Sequence, residues 1–348
     1  MTPILDIETI VINGQSRVVH QRLAAEKSFC KLTEYSVDRA DGWPRIVLVA
    51  PLSGHYSILL RDMVIGLLPR FRVYVTNWIN ADEVPVSEGP FGLDQNIDYL
   101  LDFIAVAGEG VNVVALCQAV VPALAAAATF SKRSHECAVG SLTLIGGPVD
   151  PLANPTRVVQ LLRARELTWF QDNVLRRASP SSAAHGRLVY PGYKQLASLM
   201  VYLNRHLIQR GELYYKVSSD DGLDPIGHPF FTLFTSVMDL PGEYFLDNIG
   251  TVFHKRDICC HSLSWSGEIV DPDQITNIPL MTIEGEEDDI AAPGQTSAAH
   301  GLCPLIPETK RRRLLIPGCG HFSLFYGNTW RSRVLPELAS FLGGTERC

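Results

Sequence analysis

Ahead of residue 146 the sequence keeps one rhythm: a short, nearly continuous apolar run, then a stretch with helical spacing. The runs are 45–50, 71–76, 111–116 and 141–145, and the helix-patterned stretches between them are 58–68, 93–106 and 121–130. Apolar residues at successive rather than alternate positions suit strands whose two faces are both covered. Parallel neighbours of that kind need a crossover, usually a helix, to carry the chain back. The rhythm therefore predicts an α/β fold, a mostly parallel sheet flanked by helices. Before it, segments 7–12 and 17–23 flank Asn13-Gly14, a hairpin-turn signal that predicts a small antiparallel start.

After Gly146-Gly147-Pro148 the rhythm stops, and it resumes only at 279–283 and 313–316. The intervening stretch has helical patterning, many aromatics and no clear buried strand. A helical insertion between late strands of a continuous sheet is the simplest account. The predicted division is a core of 1–147 and 278–348, with a helical cap or lid at 148–277.

A net charge of −7, with 46% apolar and 19% charged residues, describes an ordinary globular protein. The one basic run, Lys310-Arg311-Arg312-Arg313, reads as a solvated strand entrance, and nucleic-acid binding is not expected. The apolar stretch 111–130 is interrupted by Asn112, Gln118 and Pro122, so no segment approaches the roughly 20 residues of a membrane span. The first residues lack a basic region followed by an apolar core, so the chain reads as cytoplasmic. Its eight cysteines have no zinc-type spacing. Most read as reduced, buried thiols, and neither a metal nor a cofactor is expected.

Three loops, each directly after a strand, carry chemistry. In Ala115-Leu116-Cys117-Gln118-Ala119 a potential nucleophile stands at a strand-to-helix turn, with small residues two before and two after it, where close backbone approach demands them. The following helix would aim its positive N-terminus at the thiol, and Pro122 is tolerable only within the first helical turn. A buried core thiol is the competing reading for Cys117. In Glu284-Gly285-Glu286-Glu287-Asp288-Asp289 an acid follows a late strand; Asp288 is chosen, with Asp289 the neighbouring alternative. In Pro317-Gly318-Cys319-Gly320-His321 the glycines leave room for an imidazole. Nucleophile, then acid, then histidine is the chain order of the α/β hydrolases. A fourth loop, Ala50-Pro51-Leu52-Ser53-Gly54-His55, follows the strand at 45–50. There Leu52 or Ser53 would give one backbone N–H of an oxyanion hole, and Gln118 the other. His55 is either a substrate contact or a structural hydrogen-bonding residue.

These segments resemble the intracellular polyhydroxyalkanoate (poly-3-hydroxybutyrate) depolymerases over nearly the whole chain, from about Phe29-Cys30 onward. The carriers include 50–56, Val84-Pro85-Val86-Ser87-Glu88-Gly89, Leu116-Cys117-Gln118 with 121–124, Gly146-Gly147-Pro148-Val149-Asp150, 237–241, 284–290 and Pro317-Gly318 with Gly320-His321. The resemblance implies a capped α/β-hydrolase fold and a Cys117-Asp288-His321 triad. It also implies hydrolysis of a stored polyester, at granules, to 3-hydroxybutyrate oligomers or monomer. Two departures stand out: the family's N-terminal extension is nearly absent, and 253–269, with Cys259-Cys260, follows the family only loosely. The thioester that a cysteine nucleophile forms would pass its acyl group to water or to another thiol. The competing readings are a hydrolase of soluble esters or oligomers and a granule-binding protein without catalysis. Oligomeric state is not legible.

Overall fold

The computed structural model of the protein describes residues 5–133, 138–198 and 236–344. The chain opens with an antiparallel set: β1 (Thr9–Ile12), β2 (Gln15–Lys27) and β3 (Cys30–Val37). Asn13 and Gly14 both have positive φ, 51° and 77°, as the turn of a tight hairpin requires. Then come β4 (Arg45–Val49), α1 (Arg61–Leu67), β5 (Arg72–Trp78), α2 (Leu93–Ala107), β6 (Val111–Leu116), α3 (Val120–Lys132) and β7 (Val139–Ile145). All six residues of β6 are buried, as an unbroken apolar run through the middle of a covered sheet must be. Pro122 falls in the first turn of α3, where its missing N–H breaks no bond.

Strand β3 was not among the segments expected from the sequence. Its centre is Glu34, a carboxylate only 3% exposed that interrupts the apolar pattern. Two arginines make it tolerable there: Arg22 Nε donates at 2.9 Å and Arg72 Nε at 2.7 Å. Burial pushes this carboxyl upward, but the two guanidinium groups outweigh burial and hold it below its ordinary value.

Between β7 and the next strand of the main sheet lie α4 (Arg157–Arg163), α5 (Leu167–Asn173), β8 (Arg176–Arg177), β9 (Leu188–Tyr190), β10 (Leu240–Pro241), α6 (Gly242–Asp247), β11 (Ser264–Trp265) and β12 (Glu268–Ile269). Among its described residues this insertion holds, besides helices, two small antiparallel sheets, β8–β9–β10 and β11–β12. Strands of two or three residues are too short to leave a periodic signal in the sequence. Of the aromatics expected in the insertion, Tyr202, Tyr214, Tyr215, Phe230, Phe231 and Phe234 lie outside the described residues. Trp169 packs on Phe170, and Tyr190 on Phe245, within the insertion's own cluster.

The main sheet then resumes with β13 (Leu280–Gly285), followed by α7 (Ala299–Leu302), β14 (Arg311–Ile316) and α8 (Leu335–Gly343). Its nine strands run in the order β1-β2-β3-β5-β4-β6-β7-β13-β14, the six from β5 to β14 being parallel. From β4 the chain first steps one way to β5, then crosses back over β4 to β6. Right-handed crossovers in opposite directions place α1 on one face and α2 on the other. Accordingly α2 packs with α3, and α1 with α8. The loops after β4 and β6, neighbours at this reversal, open into the crevice where such sheets carry their sites. Of the described cysteines, Cys30, Cys303 and Cys319 are buried, and all six are free thiols.

One buried histidine sets an acid limit. His300 on α7 is 2% exposed and shares a 3.0 Å hydrogen bond with Thr282 Oγ1. Burial, helped by the charges of Arg313 and Arg311, pulls it down from 6.5 to about 4. The unfolded chain takes up this proton near 6.5, whereas the folded one holds out to about 4. Stability from neutral His300 is therefore whole above pH 6.5 and is lost as the pH falls towards 4. At most about 3 kcal/mol is at stake. The urea midpoint is expected to drop between pH 7 and pH 4, and to drop less in His300→Gln. An equal drop in both proteins would assign the effect to other groups.

Candidate active site

Cys117 begins the turn between β6 and α3 with φ at +50°, a left-handed backbone at a non-glycine residue. Leu116 before it is still extended, and helical turns start at Cys117 itself. The side chain is thus thrust out at the end of the central strand, on the strained turn that presents nucleophiles in this architecture. Ala115 and Ala119, two residues away on either side, are both buried.

The close approach below the turn is made by Gly147. A Cβ there would stand 2.3 Å from the Cys117 carbonyl oxygen and 2.4 Å from both γ-methyls of Val120. Gly147 is itself gripped by Thr296, whose hydroxyl accepts from Gly147 N–H at 2.8 Å and lies 2.9 Å from Gly147 O as donor. The Thr296 N–H donates to Glu284 Oε1 at 2.8 Å, and Gly294 and Ser297 donate to the same oxygen. Thr296 was not singled out in the sequence, where a threonine in a loop carries no motif, and Glu284 was named only as part of the segment that leads to Asp288.

Asp288 and His321 are brought together. His321 Nδ1 stands 2.7 Å from Asp288 Oδ2, and both side chains are almost fully buried. The other carboxylate oxygen accepts the N–H groups of Ile290 and Ala291, each at 2.9 Å. One side of the carboxylate is therefore fixed by the loop's own backbone and the other is aimed at the imidazole. Asp289, the alternative acid, is exposed. Burial acts to lower the His321 pKa, but the Asp288 charge and the Cys117 sulfur outweigh burial and raise it well above the ordinary histidine value. Phe322 and Phe325 pack edge-on against the imidazole, at 5.4 and 5.8 Å between centroids. With Nδ1 turned to Asp288, Nε2 is left to face the thiol.

On the other side of the thiol lies the loop after β4. Leu52 is buried, Ser53 half-buried, and neither gives its N–H to a backbone acceptor among the described residues. Trp78 Nε1 donates to Ala50 O at 2.8 Å and anchors the start of this loop. Its far end is tied to the insertion: Met238 N–H donates to Gly54 O at 2.7 Å, and Tyr56 N–H to Ser236 O at 3.2 Å. Gly54 has no room for a side chain, because the Gln195 amide of the insertion lies directly against it. His55 pairs by a backbone bridge with Val237, and its ring meets Phe322 edge-on at 6.4 Å. Gln118, immediately after Cys117, is half-buried at the start of the helical turn.

A parallel sheet with its topological reversal at a strained strand-to-helix turn, faced by a histidine and an acid from later loops, defines an α/β hydrolase. Solved structures share this fold at low identity. A hypothetical protein of Pseudomonas aeruginosa is 14% identical, with 99% of this chain and 98% of that one aligned at a TM-score of 0.54. A Mycobacterium tuberculosis protein is 12% identical over 97% and 98% of the two chains, also at 0.54. A monoacylglycerol lipase of Paleococcus ferrophilus is 13% identical over 88% and 97%, at 0.50. No curated protein matches the sequence. Residues 146–346 match the family described as PHB de-polymerase C-terminus, and the chain belongs to that family. It is a carboxylic ester hydrolase.

The packing under Cys117 gives a direct expectation. Gly147→Ala must displace the Cys117 carbonyl or the Val120 side chain, at a cost of about 1–3 kcal/mol. A displacement of about 1 Å at the turn is expected to lower ester hydrolysis by roughly 100-fold. Thermal melting and kcat/KM on a soluble ester measure the two effects, and a fully active Gly147→Ala would show that the turn yields without consequence.

Proposed function

We propose that the protein hydrolyses esters of 3-hydroxyalkanoic acids, the storage polyester and its oligomers, through Cys117, His321 and Asp288. The observation that carries this reading is the left-handed turn of Cys117 opposite an imidazole whose Nδ1 is held by Asp288. Family membership supports the substrate class. Residues 148–277 then act as a cap over the site, and 1–147 with 278–348 as the catalytic core.

In the first half-reaction the thiol proton passes to His321 Nε2 and the sulfur attacks the ester carbonyl carbon. The oxygen of the tetrahedral intermediate takes its charge next to the N–H of Gln118 and of Leu52 or Ser53. As the intermediate collapses, the C–O bond breaks and His321 returns the proton to the leaving alcohol oxygen. In the second half-reaction His321 takes a proton from water while the water oxygen attacks the thioester. Collapse releases the 3-hydroxy acid, and the sulfur recovers its proton. Asp288 keeps one tautomer of His321 in place throughout and stabilises its protonated form.

A thiol-reactive ester probe followed by mapping of the adduct tests the assignment, with modification expected at Cys117. Cys117→Ala is expected to lose hydrolysis of both amorphous poly-3-hydroxybutyrate granules and soluble 3-hydroxybutyrate esters. Full activity in that variant would remove Cys117 from the chemistry. Asp288→Asn is expected to lower kcat by up to about 10⁴, since it leaves the imidazole in the wrong tautomer. Asp289→Asn is expected to change kcat by no more than a few-fold, and the reverse ranking would transfer the role to Asp289. Product release from granules compared with soluble oligomers fixes which form of the ester is preferred.

A further inference from the structure

The insertion brings one further polar group to the site, the hydroxyl of Tyr244 on α6. The side chain is 1% exposed, and the hydroxyl has only a weak, poorly aligned contact with Asn248 one turn on. A buried hydroxyl without a well-formed hydrogen bond is unfavourable, and such a group in a native protein calls for an explanation, a functional role or an exchangeable partner among them.

Its surroundings are those of the site. The Tyr244 ring packs on Phe91, with centroids 6.1 Å apart, and Phe91 packs on Trp78 at 5.9 Å. Trp78 in turn anchors Ala50, where the loop with Leu52 and Ser53 begins. The segment leading into α6 runs alongside the end of that loop, through the bonds between Met238 and Gly54 and between Tyr56 and Ser236. Burial first, and the charge of Cys117 second, push the phenol well above its ordinary value. Tyr244 is thus a protonated donor within the field of the sulfur.

The carbonyl oxygen of an ester held at Cys117 already has its donors in the N–H groups of Gln118 and of Leu52 or Ser53. A 3-hydroxyacyl group carries a second oxygen, on the carbon two along from the carbonyl carbon. In a monomer ester it is a hydroxyl, and in the polymer it is the oxygen of the next ester link. Both forms accept a hydrogen bond. We propose that the Tyr244 hydroxyl donates to this 3-oxygen and so distinguishes 3-oxygenated acyl esters from plain acyl esters. The assignment rests on the reading of Cys117 as nucleophile toward 3-hydroxyalkanoate esters. A plain acyl chain leaves the buried phenol unpaired, the situation in which hydrogen-bonding sites reject analogues most strongly.

The test compares kcat/KM for the 4-nitrophenyl esters of 3-hydroxybutyrate and of butyrate in the native enzyme and in Tyr244→Phe. The native enzyme is expected to prefer the 3-hydroxy ester, and the variant to lose about 10- to 100-fold of that preference. An unchanged ratio, with both esters slowed equally or neither slowed, overturns the proposal. Should Tyr244→Phe fold poorly, the native enzyme answers the question with the 3-methoxybutyrate ester, whose 3-oxygen accepts but cannot donate. Turnover close to that of the 3-hydroxy ester supports donation by the protein, and turnover no better than that of butyrate overturns it. Activity surviving in Cys117→Ala would sink the underlying reading, whereas labelling at Cys117 with an unchanged ratio would sink this proposal alone.

Discussion

Everything at the site depends on holding one residue in a backbone conformation it does not favour. A left-handed cysteine costs on the order of 1–3 kcal/mol, and its neighbourhood must supply that. Here β6 is buried along its whole length and α3 follows at once, so the chain can turn only at Cys117. Gly147 closes in beneath, and Thr296 fixes Gly147 by both its N–H and its carbonyl. Because Thr296 is also held by Glu284, at the end of the strand that launches Asp288, hydrogen bonds run from the Cys117 turn to the loop of Asp288. The relative placement of the two is thus a property of backbone and buried polar groups, largely independent of the Cys117 and Asp288 side chains.

Much of this was legible in the amino-acid order, for identifiable reasons. Buried parallel strands need uninterrupted apolar runs, so β4 to β7 and β13 were visible within a few residues, and the edge strand β14 through its apolar second half. Asn13-Gly14 announced the hairpin because few other pairs accept two positive φ angles. Strand β3 escaped because Glu34 sits in its middle, acceptable only through Arg22 and Arg72, which are distant in sequence. At the site, the strand-loop positions of Cys117, Asp288 and His321 could be read from local pattern and order. Distinguishing Asp288 from Asp289 needed geometry, since adjacent residues on one loop point in different directions. Thr296 and Tyr244, and the bracing role of Glu284, were invisible, because each acts through contacts that only the fold creates.

The insertion is fastened to the core by a second set of buried polar contacts. The Arg187 guanidinium reaches the carbonyls of Val84, Pro85 and Gly89 at 3.1, 2.5 and 2.9 Å, and its charge lies over the Phe29 ring. Ala81 and Asp239 join the two parts by backbone, and Asn80 adds a side-chain bond to Asp239. The Val84–Gly89 stretch, conspicuous in the sequence without an evident task, is therefore a receptacle for an arginine. Charge-assisted bonds to three carbonyls hold such a seat more firmly than apolar contact alone.

The basic run that looked like a mere strand entrance has a consequence for how these molecules meet one another. It forms the first half of β14, the last strand of the sheet, and such a strand offers unpaired backbone groups to any neighbouring chain. Arg311 turns back to cap the carbonyls of His300, Cys303, Pro304 and Ile306, while Arg312 and Arg313 engage Glu337 and Glu308. A second copy approaching this border would have to set like charges side by side and break those contacts. The opposite border, β1, is only four residues long and gives little to pair with. Edge-to-edge pairing of neighbouring copies into a shared sheet is thereby disfavoured at both borders.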